Sequence, residues 1–238
     1  MTARQEQRFQ GFSPQTFAFL ENIGRHNDKT WFEVHRAEYE ERVLCPLRHL
    51  VSDLAPFMLT IDLSFEVTPA VGKTISRIYR DTRFSQDKRP FRDSMWIVFK
   101  RPGQDWSSYI PGYFLEISPH LCRYGLGFYD AAPKLMARFR QQIDGDPDTF
   151  LKATRWLARQ DAFTLQGETY KRAVGQDKPD EIRRWYQFKS FYLSCEHPID
   201  DLIMSPQFAS RVMKHYGLAA PLYHYLQHLA TQVLGEHR

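Results

Sequence analysis

Apolar residues recur at helical spacing through the first sixty positions, give way to strand-length apolar runs, and return to the helical period after residue 130. Ser13-Pro14 is a helix start, a hydroxyl cap followed by proline at the first helical position. Phe17, Leu20 and Ile23 then share one face, and Gly24 supplies a stop. Asn27-Asp28 offers a second cap leading into Trp31, Phe32 and His35. A longer stripe runs through Tyr39, Val43, Leu47, Leu50 and Leu54. Pro46 is expected to kink or split that helix, because it lacks a backbone donor and crowds the preceding turn. Pro56 is expected to mark its end.

The pattern then changes. Residues 95–99, Met-Trp-Ile-Val-Phe, form an apolar run of strand length closed by a turn at Lys100-Arg101-Pro102-Gly103. Residues 113–117 predict a second strand and 121–129 a third, in which Gly125 and Gly127 suggest a bulge or a close backbone approach. Short connections between them favour antiparallel pairing. Pro133 opens a helix with Leu135, Met136, Phe139 and Ile143 on one face, ended by Asp144-Gly145. Asp146-Pro147 opens the next, with Phe150, Leu151 and Leu157. Residues 163–165 predict a short strand, 179–186 a short helix and 188–195 a β-rich strand. Ser205-Pro206 starts a helix expected to stop at Gly217, and 221–234 forms the last. The reading is a single α+β domain over residues 1–238, with a central antiparallel sheet flanked by N-terminal and C-terminal helices. Residues 1–10 are expected to be a flexible N-terminal extension.

Composition narrows the function classes. The net charge of +4 is a mild basic bias for 238 residues, far below that of a nucleic-acid packaging protein. The excess gathers around residues 73–101 and again around 171–189. Cys45, Cys122 and Cys195 lie far apart, without a Cys-x-x-Cys pair, which argues against a secreted disulfide framework. For Cys45 and Cys195 the simplest reading is a small buried hydrophobe. The amino terminus has no apolar signal core, and no window approaches eighteen apolar residues. A cytoplasmic protein with no membrane partner is the expectation.

The densest chemistry is the stretch 77–92. It holds six basic and two acidic residues, interleaved with Tyr79, Phe84, Pro90 and Phe91, as suits a folded loop. Two readings follow. Asp81 and Asp87 pair with Arg77, Arg80 or Arg83 and merely brace the loop; or the carboxylates orient the guanidinium groups and leave surplus charge facing a cleft. In the second, planar forks grip a phosphate or carboxylate. Charge-assisted hydrogen bonds contribute about 1.5–3 kcal/mol each, so two or three would give roughly millimolar to micromolar affinity. The residues expected to bind such a ligand are Arg77, Tyr79, Arg80, Arg83, Ser85, Lys88, Tyr113 and Lys189, with Asp81 and Asp87 as structural partners. In the second basic cluster Arg183 and Arg184 read as a solvated helix face, and Lys189, inside an aromatic strand, is better placed. Glu116, on the strand face opposite Tyr113 and Leu115, is a weak candidate for general acid or base.

Other motifs fail. Gly72-Lys73-Thr74 lacks the P-loop glycine, since Val67 stands in its place. His224 and His228 have no third ligand, and His120 beside Cys122 is a chance alternation. No Gly-x-Ser-x-Gly elbow occurs. No metal and no cofactor are expected.

Three segments carry a family likeness: residues 27–32, Asn-Asp-Lys-Thr-Trp-Phe; 80–91, Arg-Asp-Thr-Arg-Phe-Ser-Gln-Asp-Lys-Arg-Pro-Phe; and 112–119, Gly-Tyr-Phe-Leu-Glu-Ile-Ser-Pro. Over roughly residues 10–230 the chain resembles a widespread bacterial and fungal family of conserved hypothetical proteins, a domain of unknown function with an R-D-x-R-F-S-x-D-K-x-P-[FY] motif. Lys171-Arg172 and 188–191 match a second family pattern, whereas 174–179 depart from it. The resemblance implies one cytosolic α+β domain and no particular reaction. The expected function is binding, with turnover left open, of an anionic small molecule at the Arg-rich site. The alternatives are a nucleic-acid binder using Trp106, Tyr109 and Phe84 for stacking, or an interaction protein whose Arg/Asp motif is structural. Oligomeric state is not fixed by these patterns.

Overall fold

A computed structural model describes residues 8–102, 109–128 and 130–235. Helix α1 (Pro14–His26) starts as its sequence demands. The Thr16 N–H donates to Ser13 Oγ and the Ser13 N–H to Thr16 Oγ1, with Pro14 at the first position. It runs past Gly24 to Asn27. Helix α2 (Lys29–Val34) is capped by Asp28, which accepts from the Trp31 N–H at 2.8 Å. The short α3 (Arg36–Tyr39) leads into a wide turn at Glu40–Leu44, in which the Cys45 N–H reaches back to Glu40 O. Helix α4 (Cys45–Ile61) follows, with Pro46 in its first turn where no donor is missed. The expected split at Pro46 therefore takes the form of this wider turn.

Pro56 does not end α4; the helix continues to Ile61. Pro56 and Ser52, whose carbonyl loses its partner, both lie on the exposed side. Leu47, Leu50, Leu54 and Met58 keep the opposite stripe buried, and that burial outweighs one missing hydrogen bond.

Strands β1 (Met95–Phe99), β2 (Gly112–Ile117) and β3 (Leu121–Gly127) form the expected meander. The third ends before Tyr129, which lies outside the described residues. Next come α5 (Pro133–Gly145), α6 (Pro147–Thr154), β4 (Thr164–Thr169), α7 (Asp180–Tyr186) and β5 (Phe188–Pro198). The five-stranded antiparallel sheet has the order β1-β2-β3-β5-β4, so the fold class is α+β as read. The final helix α8 spans Gln207–Gly235 without a break. This corrects the expectation of two helices divided at Gly217 and Pro221. Pro221 and Gly217, whose carbonyl has no N–H to accept from four residues on, are both exposed.

By contacts the chain divides into two compact units that interleave in sequence. The first comprises 1–99, 114–124 and 196–214; the second, 100–113, 125–195 and 215–238. In the first, Phe12 packs edge to face against Phe9 and Phe208 near the start of α1, and Phe9 and Phe208 meet at a tilt. The Phe9 N–H donates to Asp53 Oδ2 at 3.1 Å. The flexible extension expected over residues 1–10 therefore does not include Phe9; residues 1–7 lie outside the described residues. In the second, Phe139, Phe150, Trp185, Phe191 and Tyr225 form one aromatic cluster.

Candidate functional site

The basic stretch is a hairpin-like excursion in the first unit. The Arg80 N–H donates to Pro90 O and the Arg92 N–H to Ile78 O, both at 2.8 Å, so 78–80 and 90–92 run antiparallel. Just before it, the Ser76 N–H donates to Trp96 O and the Val98 N–H to Thr74 O, which pairs residues 74–76 with the outer edge of β1. The connecting loop is built on one device used twice. Asp81 accepts from the Arg83 N–H at 3.2 Å and from the Arg83 guanidinium at 2.6 Å. Asp87 does the same with Arg89, at 3.0 and 2.7 Å. A carboxylate that closes a tight turn on the N–H two residues on thus also aligns the side chain two residues on.

Asp87 carries a second cation, Arg80, whose Nη1 donates to Oδ2 at 2.5 Å. Two guanidinium groups share one carboxylate, so the trio keeps one positive charge. These hydrogen bonds, Arg89 foremost, hold the Asp87 carboxyl well below the usual range, and Arg83 brings Asp81 down to about 2. Beneath the loop opens a cleft of about 450 Å³ lined by Arg80, Asp87, Arg89, Arg92, Asp93 and Trp96 among others. Among the described residues the Arg92 side chain makes no hydrogen bond or ion pair, and neither does that of Asp93. The cleft therefore contains one unmatched guanidinium and, beside it, one unmatched carboxylate.

One wall has a layer behind it. Ser94 lines the cleft and lies near enough to Glu116 on β2 to help lower its carboxyl. Glu116 in turn accepts from Arg123 Nε on β3, and the Arg123 guanidinium lies over the Trp96 ring, 5.1 Å from its centre. Burial raises the Glu116 carboxyl above its ordinary range, against the lowering effect of Arg123 and Ser94. Glu116 is not among the residues lining the cleft, and it reaches it through Ser94.

Of the residues expected to bind a ligand, Arg80 and Ser85 line the cleft. Arg83 and Lys88 do not: Arg83, 78% exposed in its side chain, is spent on Asp81, and Lys88 Nζ donates to Thr82 O at 2.9 Å. Arg77 is exposed, outside the cleft lining, and takes no part in the expected pairing with Asp81 or Asp87. Tyr79 packs its ring on Phe91 and Phe32, at 5.0 and 5.9 Å. Tyr113 is fully buried in the second unit, where its hydroxyl donates to Tyr216 O at 3.2 Å. Lys189, also in the second unit, pairs with Glu168. Reading the sequence did not single out Arg89, Arg92, Asp93, Ser94, Trp96 or Arg123. Arg89 was legible in the repeated Asp-x-Arg spacing of 81–83 and 87–89. The others sit at the junction of motif and strand, where no periodicity marks them. Of the aromatics offered for stacking, Phe84 is 95% exposed and Trp106 lies outside the described residues.

Fold and site thus define an α+β protein with an arginine-lined cleft at the edge of an antiparallel sheet. The chain belongs to the conserved hypothetical protein family DUF2461, which matches residues 15–225. No curated protein matches it.

Proposed function

We propose that the protein binds an anionic small molecule, bearing phosphate or carboxylate, in the cleft of Arg80, Arg89 and Arg92. The observation that carries this is Arg92. Bracing accounts for Arg80, Arg83, Lys88 and Arg89, each of which has an internal acceptor; it does not account for a guanidinium in the cleft wall with no acceptor among the described residues. Five N–H donors in a planar fork suit a bidentate oxyanion. Arg80 and Arg89, already aligned by Asp87, add their unused donors without further ordering of long side chains. Titrating the protein with inorganic phosphate and with a simple carboxylate should show saturable binding that Arg92→Ala weakens by about tenfold or more, while Arg83→Ala leaves it unchanged. Equal effects of the two substitutions, or no binding of either anion, would overturn the proposal.

Phe84 favours a second reading. A ring 95% exposed, with the Arg83 guanidinium 5.9 Å from its centre, offers stacking beside positive charge, the combination that holds single-stranded nucleic acid. That reading requires affinity for an oligonucleotide that falls steeply with salt and collapses in Phe84→Ala.

A further inference from the structure

The anion reading uses only half of the cleft. Asp93 follows Arg92 directly, and Ser94 and Trp96 continue the same wall. Asp93 has no hydrogen bond or ion pair among the described residues, so its carboxylate offers acceptors alone. Ser94, on the same wall, carries a hydroxyl that can accept from a ligand as well as donate. Two acceptors stand beside three guanidinium donors. A bare anion satisfies the donors and repels the acceptors. A ligand that fills both halves carries hydroxyl or ammonium donors a short distance from its anionic group.

The surroundings choose between those donors. Arg123 already occupies one side of the Trp96 ring, and the cleft lining sets Arg80, Arg89 and Arg92 against Asp81, Asp87 and Asp93, of which Asp81 and Asp87 are spent on Arg83, Arg80 and Arg89. A ligand cation on Asp93 would stand close to Arg92 and Arg89, whereas neutral hydroxyls add no like charge. An indole also accepts the C–H face of a ring-shaped polyol by dispersion. A cleft of about 450 Å³ falls within the range of small-ligand sites.

We infer that the cleft takes a phosphorylated polyol, a sugar phosphate in chemical class, with phosphate on Arg80, Arg89 and Arg92, hydroxyls on Asp93 and Ser94, and the carbon skeleton against Trp96. The inference rests on the anion reading and adds the polar half of the ligand. Calorimetric titration of the full chain with four probes tests it: inorganic phosphate, glucose 6-phosphate, glucose and gluconate. Glucose 6-phosphate should bind at least about tenfold more tightly than inorganic phosphate. Asp93→Asn should shrink that ratio to less than about threefold without weakening phosphate itself, and Ser94→Ala should shrink it in the same direction, so either variant serves if the other does not fold. A ratio near one in the parent, or one that both variants leave intact, overturns the sugar half while leaving the anion site standing. Gluconate matching glucose 6-phosphate overturns the assignment of phosphate as the anion. Failure of phosphate, glucose 6-phosphate and gluconate alike overturns the anion site with it.

Discussion

The carboxamide of Asn27 clasps both backbone hydrogen-bonding groups of Phe91. Its Nδ2 donates to Phe91 O at 3.1 Å, and its Oδ1 accepts from the Phe91 N–H at 2.9 Å. The side chain thus behaves as one more rung of backbone, placed 64 positions away in sequence. It ties the junction of α1 and α2 to the returning arm of the basic hairpin. The same tie seats the Phe91 ring against Phe32, 4.5 Å between centres. Two of the three segments that carry the family likeness, 27–32 and 80–91, meet at this pair.

Asn27→Ala leaves both Phe91 groups without a partner in a partly buried place. Each unsatisfied group costs about 1–3 kcal/mol, so urea denaturation should show a loss of roughly 2–6 kcal/mol. Asn27→Asp keeps the acceptor and loses the donor, and should fall between the parent and the alanine variant.

Asp87 and Asp81 should differ in how much they matter. Asp87 holds two guanidinium groups and one backbone N–H, whereas Asp81 holds one guanidinium and one N–H at a more exposed place. Surface ion pairs contribute little, so Asp81→Ala should scarcely move the melting temperature. Asp87→Ala, which leaves Arg80 and Arg89 facing each other unshielded, should lower it by clearly more.

These carboxylates also set an acid limit. Their folded-state pKa values lie below the unfolded ones, with Asp81 at about 2 and Asp87 also depressed. Their stabilising effect is complete above the unfolded value of about 4 and fades as pH falls through the folded values. Melting temperature followed from pH 5 downward to about 2 should decline, and the Asp81→Asn, Asp87→Asn double variant should show a shallower decline over that window.

The unbroken course of α8 predicts that Pro221→Ala stabilises. It restores a donor to Gly217 O, a change worth up to about 3 kcal/mol in a helix interior, offset by about 0.4–1 kcal/mol of added unfolded-state freedom. A net gain of roughly 1–2 kcal/mol in urea denaturation is expected. A helix broken at that point would show no gain.

Gly127 on β3 has no room for a methyl group. A Cβ there would stand 2.4 Å from Tyr192 Cβ, 2.5 Å from Tyr192 Cα and 2.8 Å from Phe191 O. Gly127→Ala should cost about 3 kcal/mol or more, because strand backbone rather than a flexible side chain would have to yield. Gly145, at the end of α5, has nothing within 4 Å. Gly145→Ala should be neutral to stabilising by up to about 1 kcal/mol. Comparing the two melting curves separates close approach from a general effect of glycine.

Strands β1 and β2 were legible almost to the residue, because apolar runs bounded by turns leave no other way to bury alternate side chains. The caps at Ser13, Asp28 and Asp146 were equally plain, since a side-chain acceptor before a helix acts within three residues. Gly217, Pro221 and Pro56 misled, because a breaker is a local signal and the buried stripe beneath it is not. Tyr216, Ala219, Leu222, Tyr223 and Leu226 are wholly buried around the Pro221 position.

The amino-acid sequence alone determined the α+β class, the meander, and the gathering of cations between 77 and 92, because propensity, period and charge density are local quantities. Only the tertiary structure decided which cations have acceptors. Arg80 finds Asp87, and Arg92, in the same cleft, finds none among the described residues. Nothing in their spacing separates them. Ion pairing depends on side chains meeting within a few ångströms, and the pairing of 78–80 with 90–92 and the clasp of Asn27 on Phe91 set those distances.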